Sequence, residues 1–150
     1  MRFLPAFVGI VLFHIMAAIS TLLGLGPYYF RIFWDGDLDL IFTALLVFLS
    51  YSPSFAIGVL STIFSAVGAG GLSLRKSISA CFKNILIGMV GFVFTGVFIG
   101  IALDSLIGNT NYILYTGWVG ITFPIHIIIS GPIGILTAYI LILIAAISRH

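Results

Sequence analysis

Glutamate is missing from this 150-residue sequence, and its only acidic side chains are four aspartates, against six Lys and Arg. Paired-carboxylate chemistry would have to be drawn from those four, and Asp35, Asp37 and Asp39 crowd into a single loop. One cysteine, Cys81, excludes an internal disulfide framework and a thiolate metal cage, and it reads as a small buried hydrophobe. Charged residues make up 7% of the chain, where soluble domains carry about 25%. A charged, water-facing shell cannot be built from so few. A formal charge of +2 is too thin for a nucleic-acid surface, and no polybasic run of the kind that binds lipid headgroups is present. There is no HExxH, no phosphate-cradling glycine loop after a strand, and no Ser/His/Asp arrangement in a suitable context. An enzyme is not expected.

What the sequence has is apolar length. Hydrophobic residues make up 61% of it and the mean hydropathy is +1.31. Residues 1–150 therefore read as one transmembrane helical domain, an integral protein of the cell membrane or an inner membrane. A hydrocarbon core of about 30 Å takes roughly 20 helical residues to cross. The charge-free runs are Phe3–Phe30, Leu40–Leu74, Asn84–Leu103 and Ser105–Ser148. The apolar stretch from Phe3 to Leu25 exceeds the about 7–15 residues of a signal-peptide core, so it is expected to be the first span.

The second run has 35 residues and the fourth 44. Both are interrupted by proline: Pro53 in one, Pro124 and Pro132 in the other. Proline removes a backbone donor and pushes its predecessor out of the helical region. Turns at those prolines give an all-α bundle of six short transmembrane helices, near 4–25, 38–51, 54–71, 79–103, 111–129 and 132–148. The alternative is four long helices, two of them broken at proline. Charge favours four, with Arg2, Arg75, Lys76, Lys83 and Arg149 cytoplasmic and only Arg31 outside. Length favours six. A shift of 79 residues lays Pro53 on Pro132 and the first helix on the fourth. With three helices per repeat, the halves would insert in opposite directions. Gly96 and Gly100 form a GxxxG, suited to internal packing or to a dimer face, and Gly68–Gly71 is expected to end a helix.

Few residues could carry chemistry. The loop Arg31–Asp39 holds Trp34 and three acids, but Gly36 is misplaced and no Glu follows for a calcium loop. Tyr28, Tyr29, Phe30, Phe33 and Trp34 read as an interfacial belt, with Asp39 or Asp37 capping the next helix. The loop is also a candidate lid or ligand contact. His14 and His126 could be haem ligands or a proton relay, or neutral imidazoles bonded to backbone or hydroxyls. No cofactor is expected beyond that haem possibility. Asn84 is a polar group at membrane depth that should face protein or water. Tyr112, Tyr115 and Trp118, after Asp104, read as interfacial anchors.

From Gly26 to Gly70 the chain resembles the substrate-binding S-components of energy-coupling-factor vitamin transporters. The similarity runs through the aromatic, acidic loop, then Asp37-Leu38-Asp39-Leu40-Ile41-Phe42, Ser52-Pro53, and Ala56-Ile57-Gly58-Val59-Leu60-Ser61-Thr62-Ile63. The helix from Phe123-Pro124-Ile125-His126 is similar in character. The resemblance implies six helices around a membrane-embedded pocket closed by inter-helix loops, lined by Trp34, Asp37, Asn84 and His126, and an energising module as partner. The small-residue signature expected on the first helix of that family is not clear, since Ala17-Ala18 lacks the spacing. The rival expectation is a structural subunit of a larger membrane complex. Expected partners are thus the lipid bilayer, other membrane subunits and a small-molecule ligand, with no nucleic acid.

Overall fold

The computed structural model describes residues 2–148, which are helical almost throughout and contain no strand. Six helices follow one another: α1 Leu4–Leu22, α2 Gly26–Trp34, α3 Leu40–Ala69, α4 Leu74–Ile107, α5 Asn111–Ile121 and α6 Phe123–Ile147. The all-α membrane bundle is what the chain forms. Four of the helices, α1, α3, α4 and α6, are long and apolar enough to cross a membrane. The helices α2 and α5 are short and fold in against the bundle. Arg149 lies outside the described residues.

The largest departure from the expected boundaries is at Pro53, which sits inside α3 with no turn. Its missing N–H would have served the carbonyl of Leu49. The Ser52 hydroxyl donates to that oxygen instead, at 3.4 Å, and Ser54 Oγ donates to the Tyr51 carbonyl at 2.9 Å. Hydroxyls can take over freed backbone groups in this way inside a membrane. Pro132 is handled differently. Just before it, His126–Ser130 forms a turn of π-helix, closed by the Gly131 N–H on the His126 carbonyl. The wider turn keeps the helix going where an α-helical proline would clash with the preceding turn. The expected pairs 38–51 with 54–71, and 111–129 with 132–148, are therefore regrouped, because each proline is bridged locally.

Helix ends follow simpler rules. Asp39 caps α3, its carboxylate accepting from the Ile41 N–H at 3.1 Å. Gly70 ends α3 with φ of 66°, a left-handed conformation that glycine adopts without a Cβ penalty.

The helices pack through small residues. A Cβ on Gly134 would lie 2.6 Å from the Phe55 carbonyl oxygen and 3.0 Å from Gly58 Cα, so α3 and α6 touch backbone to backbone. Gly96 and Gly100 meet Thr116 and Ile113 of α5; the GxxxG is used inside the chain. Ala6 faces Gly88, Ile10 faces Gly91 and His14 bonds Thr95, so α1 and α4 run parallel. Ser54 with His126, and Gly58 with Gly134, make α3 and α6 parallel as well. A 79-residue shift thus relates helices pointing the same way, which corrects the inverted repeat: the two long helices of each half run antiparallel and return the chain to its starting end.

Replacing Gly134 by Ala should destabilise the protein by about 1–3 kcal/mol, through forced separation of α3 and α6. Gly120→Ala, where nothing lies within 4 Å of the added Cβ, should be neutral or slightly stabilising. Thermal unfolding in one detergent compares the two.

Candidate functional site

The bundle interior at the end holding α2 and α5 is polar and aromatic, and it is fully packed. His126 is completely buried; Nδ1 lies 2.8 Å from Ser54 Oγ and Nε2 3.2 Å from Thr122 Oγ1. Both hydroxyls also reach backbone carbonyls, Ser54 to Tyr51 and Thr122 to Trp118. A hydroxyl has one proton, so with a neutral imidazole one of them turns to donate to the ring while the other accepts from it. The Tyr51 ring lies 4.4 Å away, centroid to centroid. His14 bonds the Tyr112 hydroxyl through Nδ1 and Thr95 through Nε2. Contacts from His14 to His126 run through the stacked rings of Phe92 and Phe13. Neither imidazole presents a free nitrogen to an iron, so the residues do not fit a haem held between them.

Several aromatics expected at the interface are core. Tyr29 is buried against Tyr115 and Trp118, with its hydroxyl 2.8 Å from Ser20 Oγ. Trp118 donates from Nε1 to Ser50 Oγ at 2.9 Å, and Tyr112 and Tyr115 are buried too. The cause is the inward packing of α2 and α5 on the longer helices. Phe33 and Trp34 remain exposed.

The four residues expected to line one pocket do not converge. Trp34 is 81% exposed at the end of α2, and Asp37 is exposed in the following loop. His126 is sealed in the core. Asn84 lies toward the other end, donating to Ser61 Oγ at 3.2 Å. Ser61 is 21 residues along α3 from Leu40, roughly 30 Å at the helical rise.

Asn84 belongs instead to a cleft of about 820 Å³ between the start of α1, the end of α3 and the first turns of α4. Arg2, Arg75, Lys76 and Lys83 line it, with Ser61 and Ser65 and, among the described residues, no carboxylate. These are four of the five described Lys and Arg. The fifth, Arg31, is at the far end of the bundle, paired with Asp35 at 3.0 Å. All four aspartates also belong to that far end, beside the start of α3 and the end of α4. Lys83 Nζ sits 4.8 Å from the centre of the Phe3 ring, so it reaches the N-terminus of α1. Asn84 is 4% exposed, and its Oδ1 has no hydrogen-bond partner among the described residues.

The cleft exists because α1 is short. The α1–α4 pairings are offset by 81–82 positions, so α4 begins roughly 17 Å beyond the start of α1. The space under α1 is left to the α3–α4 hairpin. In the sequence these cations are topology signals; the one clue to their assembly is that a four-span path sends them all to one end.

No family model, curated protein or solved structure matches the chain.

Ser54→Ala would leave His126 Nδ1 without its partner and should cost about 1–3 kcal/mol. Thr137→Ala removes only a hydroxyl bonded to the Ile133 carbonyl of its own helix and should cost less. Equal unfolding midpoints for the two variants would contradict the hydrogen-bond assignment of His126.

Proposed function

We propose that this chain is a membrane-embedded small-molecule-binding subunit whose ligand is an anion held in the cleft beneath α1. The observation that carries this reading is the gathering of Arg2, Arg75, Lys76 and Lys83 around one cleft, with no carboxylate among its described lining residues. Four like charges repel one another, and the N-terminus of α1 adds the positive end of its dipole. An anion relieves both. The S-component resemblance favours a role in transport, although α3 runs unbroken through Pro53, where the similar stretch implies a turn. An accessory role in a larger complex draws on the outward-facing Phe94 and Phe98 of α4.

In the same reading the chain crosses the membrane four times, with the cleft on the cytoplasmic side. The positive-inside rule supports this orientation, since the cleft cations then face the cytoplasm. Cysteines introduced at Asp37 and Ser79 distinguish it from six spans. A membrane-impermeant thiol reagent should label Asp37→Cys in right-side-out vesicles and Ser79→Cys only in inverted ones. Labelling of both from one side would support six spans.

Anion binding is read by calorimetry on the full chain in a neutral detergent, titrated with inorganic phosphate and sulfate. Binding should weaken as salt rises. Lys76→Gln with Lys83→Gln should weaken it further, by on the order of tenfold, while Arg31→Gln leaves it unchanged. Absence of binding, or equal binding by all variants, would overturn the reading.

A further inference from the structure

Helix length sets the depth of the cleft. With 19 residues, α1 spans roughly 28 Å, close to the about 30 Å of a hydrocarbon core. In the four-span reading its first turn is placed at the hydrocarbon edge, where Arg2, Lys83 and Asn84 stand, and α3, α4 and the apolar end of α6 continue past that edge. Apolar side chains continue beyond it: on the opposite face of the first turns of α4, Leu74, Ile78, Cys81 and Phe82 wall an apolar groove against α6. The cleft itself combines its cations with Phe64 and Val67. A site at this depth with a mixed lining suits an amphiphile better than a fully hydrated ion.

We propose that the cleft binds an anionic phospholipid whose headgroup carries a hydroxyl. The proposal rests on the anion reading above and names the ligand class. Arg2, Arg75, Lys76 and Lys83 surround the phosphate, with the two arginines able to contact its oxygens in bidentate fashion. Asn84 takes the headgroup hydroxyl. Its buried Oδ1 has no donor among the described residues, and burying an amide oxygen unpaired is unfavourable. A hydroxyl bound in the cleft supplies that donor once the amide turns to meet it, while Ser61 Oγ accepts from its Nδ2. Phosphatidylglycerol has these groups; phosphatidylcholine has no net charge, and phosphatidic acid lacks the headgroup hydroxyl.

The test uses the full chain in nanodiscs of equal parts phosphatidylglycerol and phosphatidylcholine, released into gentle detergent for native mass spectrometry. One phosphatidylglycerol per chain should be retained in preference to phosphatidylcholine. Retention should drop on the order of 10–100-fold in Arg75→Gln/Lys76→Gln/Lys83→Gln, and stay unchanged in Arg31→Gln. Asn84→Ala should reduce retention of phosphatidylglycerol but not of phosphatidic acid in matched nanodiscs. An equal loss of both lipids would remove the hydroxyl assignment. If phosphatidylglycerol is not enriched while soluble phosphate still binds, the lipid proposal fails and the anion reading stands. If neither binds, both fail.

Discussion

Every carbonyl in a membrane-spanning helix must find a donor within the protein, and the arrangement of this chain depends on how that is met at its prolines. In water, Pro53 and Pro132 could each end a helix, and solvent would take the freed groups. In hydrocarbon a break is tolerated only where protein or water covers it. The chain uses two local remedies: the Ser52 hydroxyl beside Pro53 and the π-turn before Pro132. Because both hold, α3 and α6 each run end to end, and four long helices set the frame into which α2 and α5 fold.

Unequal helix lengths then govern the distribution of charge. The hairpin of α3 and α4 extends past α1 and carries Arg75, Lys76 and Lys83 on the walls of the space that α1 leaves empty, with Arg2 at its roof. At the other end the interior is closed by Tyr29, Tyr115 and Trp118, and the acids stay in exposed positions around it. One end of the bundle is closed, aromatic and acidic at its rim. The other is basic and open. That polarity arises from helix register, since the cations lie as much as 81 positions apart in sequence.

What was legible in the sequence follows the range of each interaction. Local signals were readable: the Asp39 cap, the end of α3 at Gly70, and the apolar lengths that make this a membrane protein. Pro53 misled because the rule for proline considers one residue, whereas the remedy belongs to its neighbour Ser52. The aromatics at Tyr29, Tyr115 and Trp118 misled for another reason. Aromatic side chains near span ends serve equally as interfacial anchors and as core, and only the inward docking of short helices decides between them. The cleft was hidden because no polybasic run exists to announce it; its positive field is assembled from two places far apart in sequence, the residue before α1 and the first turns of α4. Asn84 was recognised as needing a polar neighbour, but that neighbour, Ser61, depends on the antiparallel register of α3 and α4.

The π-turn at His126–Ser130 also leaves a mark on descent. It holds one residue more than an α-helical turn would, so the two parts of α6 are out of phase by the rotation of a single residue, about 100°. A homologue with an α-turn there would be one residue shorter, and its lower α6 would turn a different stripe toward α3 unless the Gly58–Gly134 contact moved with it. Alignment gaps in related chains should therefore cluster between His126 and Gly131, as the trace of a single inserted codon.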